Sequence, residues 1–404
     1  MPVVFFEGFN NANTDLPKLD NNYWSTNDIS KINYTNGRTG NALYIDNRPV
    51  SSGTGLNTTL TLSGFIDPLL TNNCFALGFN CRGNMLTETG VAPAPAKWLT
   101  FYRSGVAVLD LDFVKTTYSG DPSIGIAVKQ NGSTVTTYDF RSVPSASWIN
   151  SLYNTTEPNT WAIFSDTLYF EIFIDAKSLN RMLIRVSQDS QTTNGILKNS
   201  SNNTYTTISG FTNLTSIRFY SKSDDDVNNY LGGSYKRGID DLYLSGSGNA
   251  DTTLIGPETY INRIGPNATT SVNDWVSNVS DPVMSLSYAD NDTSYVYADL
   301  STSGTQSLFS FQDPPSTNAT GLILVKTINI ARKTAIDING KFINIMRSGA
   351  NGTITELGNS YTISGLDYNV FSNIIYNNPV TGNAWKLSEI NNMQIGIKTQ
   401  GTGV

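Results

Sequence analysis

The sequence predicts an all-β protein: an antiparallel β-sandwich or jelly roll, followed by a smaller β-rich C-terminal domain. Three observations predict it. Short β-branched and aromatic runs alternate in polarity and are cut by Gly, Asn and Pro clusters. No stretch sustains an apolar period of 3.6 residues. Only 15% of the residues are charged, against 39% hydrophobic, so Asn, Thr, Ser and Gly must build the surface that Lys and Glu usually supply. The 404 residues exceed one ordinary domain and fit two.

The strand runs follow one another closely. VVFFEGF (3–9), NALYIDN (41–47), LTLSGFI (60–66), CFALGFN (74–80), WLTFYRS (98–104) and VAVLDLDF (106–113) come first. IGIAVKQ (124–130), LYFEIFID (168–175), MLIRVSQ (182–188), TSIRFYS (215–221) and DLYLSG (241–246) follow. In VAVLDLDF, Ala107, Leu109, Leu111 and Phe113 share one face while Asp110 and Asp112 take the other, the mark of a strand with a wet outer side. Asn131-Gly132 is a two-residue hairpin turn between strands. Trp24, Trp98 and Trp161, flanked by strand-like runs, are expected in the core.

A boundary falls near 245–252, where a strand gives way to the small residues Ser245 to Ala250. The organisation predicted is a jelly-roll domain over 1–245, a linker and irregular docking segment over 246–320, and a small β domain over 321–404. The last contains GLILVKTINIAR (321–332), KFINIMRSG (341–349), GNSYTISG (358–365) and NNMQIGIKT (391–399). No period of 20–50 residues repeats, which disfavours solenoids and propellers.

Composition removes whole classes of chemistry. With no His, Ser-His-Asp and Cys-His catalysis and His-ligated zinc are excluded. There are 26 Lys+Arg against 33 Asp+Glu, a net charge of -7, and no basic run that would grip phosphates, so nucleic acid is not an expected partner. Nothing approaches the 18 or more apolar residues of a membrane helix. The N-terminal stretch lacks the basic and apolar regions of a secretory leader. Neither GxxxxGK[ST] nor a strand-to-helix GxGxxG is present. Cys74 and Cys81 lie seven residues apart; on one extended strand that is roughly 23 Å, far beyond the about 7 Å a disulfide spans. Two buried thiols are expected.

Without His, the remaining enzymatic option on a sandwich is a two-carboxylate glycosidase. Glu171 and Asp175 share a strand face but stand about 13 Å apart, too far for either mechanism, and Phe173 lies between them. They read as two acids on a solvent-facing strand side, and no catalytic residue is assigned. Calcium is the one cofactor with candidate ligands: Asp224, Asp225 and Asp226 in a Gly/Asn-rich loop, then Asp240 and Asp241, with Asp290-Asn291-Asp292 further on. Hard cations take six to eight oxygens from such loops, although the spacing fits no EF-hand. The abundant Tyr and Trp could stack sugar rings on a lectin-like face.

Residues 1–245 resemble the concanavalin A-like lectin/glucanase, or laminin-G-like, jelly roll. The opening VVFFEGFN, GRTGNALYIDN (37–47), LYFEIFID and the closing GIDDLYLSG carry the resemblance. It implies that the closing strand lies beside the first. The Glu-x-Asp-x-(x)-Glu strand of the glucanase members is not matched. Beyond it, GPETYINRIGPNATTSVNDWV (256–276), YADNDTSYVYAD (288–299), LFSFQD (308–313) and TGNAWKLSEINNMQIGIKT (381–399) resemble tailed-bacteriophage virion structural proteins. These join a lectin-like jelly roll to a small C-terminal β domain, with recurring stretches here at Asp290–Val296 and Ala384–Ile397. The resemblance implies a non-enzymatic capsid decoration, fibre or tail-appendage component. Such a protein is made in the host cytoplasm, released by lysis, present in many copies or as a homo-oligomer, and docked on other virion proteins. The alternatives are an adhesin for host-surface glycans and a polysaccharide hydrolase or lyase.

Overall fold

The computed structural model describes residues 3–8, 23–27, 32–36, 41–46, 59–63, 74–84, 96–119, 121–143, 163–175, 179–188, 195–209, 214–220, 236–247, 261, 264–287, 295–299, 302–313, 324–334 and 340–402. The described residues divide into two compact units, one through Ile261 and the other beyond it.

Among the described residues of the first unit, two antiparallel sheets form. The first sheet has the order β13 (Gly195–Ile196), β12 (Arg181–Gln188), β11 (Ile163–Asp175), β6 (Cys74–Asn84), β17 (Lys236–Ser247), β4 (Asn41–Asp46) and β3 (Ile32–Asn36). Two further strands attach to it: β1 (Val3–Glu7) pairs with the end of β17, and β15 (Thr206–Thr207) with the start of β12. The closing strand therefore does lie beside the first, as the resemblance implied. The second sheet has the order β14 (Lys198–Asn199), β10 (Ser133–Asp139), β9 (Asp121–Gln130), β8 (Val106–Tyr118), β7 (Ala96–Arg103), β16 (Ser216–Tyr220), β5 (Thr59–Ser63) and β2 (Trp24–Thr26). The β9–β10 hairpin turns at Asn131 and Gly132, with φ of 50° and 76°, the left-handed pair that a two-residue turn demands.

Period-two alternation decides what lies between the sheets. Phe170, Ile172 and Ile174 of β11 point inward, as do Leu77 and Phe79 of β6, and all are fully buried. Trp98 lies 4.6 Å from Phe113 and 4.8 Å from Phe170 between ring centroids, and Phe79 meets Phe219 edge-on at 5.6 Å. Each ring buried contributes about 1.5–3 kcal/mol, and tilted pairs add to that. The expectation for Trp24 and Trp98 holds, since both are buried; Trp161 lies outside the described residues. Cys74 and Cys81 are buried without a disulfide, and their odd spacing puts them on opposite faces of β6.

In the second unit, five described strands form a sheet in the order β18 (Pro266–Asn273), β21 (Ser303–Phe311), β26 (Met393–Thr402), β23 (Gly340–Ser348) and β24 (Thr355–Ile363). Two ribbons accompany it, β19 (Val276–Ser277) with β20 (Val296–Tyr297), and β22 (Val325–Ala331) with β25 (Asn369–Ile375). Among the described residues there are two short helices. In α1 (Pro282–Ser287) Asp281 caps the start by accepting from Val283 N at 2.9 Å; the other is α2 (Leu387–Asn391). Trp385, Ile390, Met393, Met346, Leu357 and Ile375 form one core cluster. The Ala384–Ile397 stretch is thus a packing corner: Trp385 Nε1 donates to Ile375 O at 3.0 Å. Gly396 is required because a Cβ there would fall 1.7 Å from Ser307 O.

The segment 246–320 differs from its expected reading as an irregular linker. It contains β18, β19, α1, β20 and β21, and β21 is an interior strand of the sheet. Its strands escaped detection because PNATTSVN is polar on both faces and SGTQSLFSF turns apolar only in its second half. The division after Ile261 also falls beyond the expected boundary near 245–252.

Candidate functional site

The outer face of the first sheet carries the charged side chains that the sequence singled out. Cross-strand register sets them in rows. Arg185 of β12, Glu171 of β11, Gly78 of β6 and Tyr243 of β17 stand opposite one another. One step along are Ser187, Tyr169, Asn80 and Asp240. The Arg185 guanidinium contacts Glu171 Oε2 in an ion pair. Tyr243 reaches across the bare backbone of Gly78 and donates its hydroxyl to Glu171 Oε1 at 2.5 Å. Glu171 is 1% exposed.

Glu171 and Asp175 are therefore not the solvent-facing acids expected. Both are buried, because this sheet face is covered as well as the inner one. Polar residues at every second position matched a wet face, but they also match a buried polar layer. Asp175 Oδ2 lies 3.8 Å from Arg181 Nε, and Arg181 stacks on the Tyr205 ring at 3.9 Å. Each acid has its own arginine, with Phe173 buried between them. Burying a carboxylate is tolerable only when it is paired in this way.

The GIDD segment explains how Tyr243 comes to lie over Gly78. Asp240 faces Asn80, but Tyr243 faces Gly78, so β17 carries one extra residue. Asp241 absorbs it in the left-handed region at φ 46°, which Asp tolerates better than most residues. The bulge restores alternation, sending Leu242 and Leu244 inward and Tyr243 outward. Its geometry is fixed by Asp241 N donating to Asp240 Oδ1 and Ile261 N donating to Asp241 Oδ1, both at 2.9 Å. Those bonds define a backbone role for the two acids proposed as calcium ligands. Asp224, Asp225, Asp226 and the Asp290–Asp292 run lie outside the described residues. Among the described residues no group of three Cys, Asp or Glu is placed to hold a metal ion.

The outer face of the second sheet is an ion ladder. Asp110 lies 3.4 Å from Lys97 and accepts from Thr100 Oγ1 at 2.5 Å, while Asp112 accepts from Lys129 at 2.6 Å. Burial acts to lower the Lys97 pKa, but Tyr220 and Asp110 outweigh it and hold the ammonium above its ordinary value. Tyr102 and Tyr220 join hydroxyls at 2.9 Å, and burial followed by this bond raises the Tyr102 phenol far above its ordinary value. Arg218 covers the Tyr102 ring at 4.6 Å and Lys97 lies 5.0 Å over the ring of Tyr220. One face of each of these two rings is thus covered by a cation.

Among the described residues, exposed aromatics occur in the second unit. Tyr295 and Tyr297 are 38% and 50% exposed with ring centroids 6.0 Å apart, beside Val276 at 51%. The sequence pattern TSYVYAD places the two tyrosines on one side of an extended segment. That was legible, whereas their exposure was not.

Fold and sites together define a two-unit antiparallel β protein whose first unit is a jelly-roll-type sandwich. No protein-family model matches the sequence, and no curated protein does. Among solved structures, an alginate lyase from Klebsiella pneumoniae is 12% identical, covering 57% of this chain and 97% of its own, with a TM-score of 0.33. The CBM2 module of the evolved Dit of Lactobacillus casei BL23 phage J-1 is 11% identical over 60% of this chain and 94% of its own, with a TM-score of 0.34. The binding domain of Paraclostridial Mosquitocidal Protein 1 is 12% identical over 83% and 72%, with a TM-score of 0.35. Values this low attach no activity or ligand to this chain.

Proposed function

We propose that the chain is a non-enzymatic display and docking protein of a virion, a capsid decoration, fibre or tail-appendage component. The observation that carries the non-enzymatic part is the state of Glu171. An acid or nucleophile must be free to exchange a proton or attack. This carboxylate is instead buried, paired with Arg185 and held by Tyr243. Asp110 and Asp112, neighbours on a strand face, are likewise each answered by a lysine. The virion setting rests on the order of motifs from VVFFEGFN to the closing Ala384–Ile397 stretch. Immunogold labelling of particles from a lysed source culture, with antibody against the purified chain, tests it. Regular labelling supports the reading. Chain recovered only in the particle-free fraction refutes it, and so does release of reducing ends or unsaturated sugars from polysaccharide by the purified chain.

A second reading, binding of host-surface glycans, is favoured by the exposed Tyr295–Tyr297 pair, whose rings offer two adjacent stacking surfaces. Glycan-array binding that survives EDTA and is lost in Tyr295→Ala/Tyr297→Ala supports it. Loss with EDTA would point to the Asp loops, and no binding at millimolar sugar removes the idea.

A further inference from the structure

In the third sheet, Arg347 of β23, Gln394 of β26 and Ser310 of β21 stand opposite one another in a single row. Arg347 Nε donates to Gln394 Oε1 at 2.5 Å, and Gln394 Nε2 donates to Ser310 Oγ at 3.3 Å. The row borders a cluster of Leu308, Ile343 and Ile345, with Val272 and Ile354 packed against it. Lys97, Lys129, Arg181, Arg185 and Lys398 each have an acid within 4 Å. Arg347, only 7% exposed, has no such acid among the described residues. Its terminal nitrogens are not among the fully enclosed polar atoms that lack a partner. The side chain is thus sunk along its length and only its tip meets the surface.

We propose that Arg347, oriented by Gln394 and Ser310, is a docking point for a carboxylate side chain of a second copy of this chain. A guanidinium has five donors in a fixed fork that matches a carboxylate edge. Here Nε is committed to Gln394, which fixes the plane and leaves the terminal nitrogens to present. Holding the side chain in place beforehand removes much of the entropy cost that weakens surface ion pairs. The occupant follows from charge: the chain carries 33 acids against 26 bases, so another copy offers a surplus of carboxylates to a cation that no described residue of its own chain answers. The proposal rests on the multi-copy reading above and adds the contact through which copies meet.

Sedimentation velocity of the full chain over a wide concentration range, at low and high salt, tests it with wild type, Arg347→Met and Arg347→Lys. The wild type is expected to self-associate, more weakly at high salt. Arg347→Met should weaken association about thirtyfold or more, the usual effect of truncating one partner of a desolvated charge pair, with the melting temperature lowered by no more than a few degrees through the lost bond to Gln394. Arg347→Lys should fall between, since an ammonium cannot pair bidentately. A wild type that is monomeric throughout overturns the proposal, as does an Arg347→Met variant that associates like wild type. Absence from particles, by contrast, would defeat the virion reading whatever the role of Arg347.

Discussion

Substituting Gly78 tests whether the Glu171 face is locked. A Cβ at Gly78 would fall 2.0 Å from Tyr243 Cε1 and 2.5 Å from its Cζ, so the ring must leave Glu171. The lost hydrogen bond to an ionised acceptor is worth about 1.5–3 kcal/mol, and forcing a methyl into a packed layer adds about 1–3 kcal/mol. Gly78→Ala should therefore cost about 3–5 kcal/mol, a fall of about 10 °C in the melting temperature of the first unit. Tyr243→Phe keeps the ring and loses only the hydroxyl bond, so it should cost about half as much. In Tyr243→Ala the methyl has room, and adding Gly78→Ala to it should cost little. Urea and thermal unfolding of wild type, Gly78→Ala, Tyr243→Ala and the double variant, followed by tryptophan fluorescence, completes the cycle. A Gly78→Ala protein as stable as wild type would refute the reasoning, and so would costs that add within about 0.5 kcal/mol.

Other perturbations have equally definite outcomes. Arg185→Met strands Glu171 as a buried charge and should destabilise by about 3–5 kcal/mol, whereas Arg185→Met with Glu171→Leu should recover most of that loss; calorimetry decides. Tyr138, whose hydroxyl lies 3.0 Å from Met182 O and 3.2 Å from Thr204 O, has its pKa raised by burial to about 12. Its contribution is complete below the ordinary value of 10 and is lost as pH rises toward 12. Tyr138→Phe should flatten stability over that window, and an unchanged slope would contradict it. Burial raises the Asp139 pKa despite its bonds from Ser123 and Arg141 N. Stability from this group is therefore greatest in acid and falls as pH rises through the raised value. Asp139→Asn should remove that fall, as read by unfolding at successive pH values. Gly396→Ala should unfold the second unit selectively, because the obstructing atom is the backbone oxygen of Ser307 and cannot swing away; proteolysis followed by mass mapping would show which unit is lost.

Much of the fold was legible because apolar alternation writes a strand directly. VAVLDLDF, LYFEIFID and MLIRVSQ fall inside β8, β11 and β12, and Asn131-Gly132 turns as its φ preference requires. The strands that escaped, β18 and β21 among them, carry Thr, Ser and Asn through most of their length, so the apolar alternation that marks a strand is missing from them. In the candidate site, the separation of Glu171 and Asp175 was legible from strand geometry. Their burial was not, because a polar strand face reads alike whether water or protein covers it. Arg185 stood in MLIRVSQ as one charge on a strand, and only the register showed that it faces Glu171. The Asp240-Asp241 pair drew notice as acid, whereas the fold uses Asp241 to turn a bulge. Sequence offers no sign of that until the partner strand shows one residue, Phe79, opposite two.

The central claim, a structural protein carried in many copies, meets its most direct test in absolute quantitative mass spectrometry of gradient-purified particles. The account predicts peptides of this chain at a fixed multiple per particle that further purification does not reduce. Copy number falling toward zero with each purification step would contradict it.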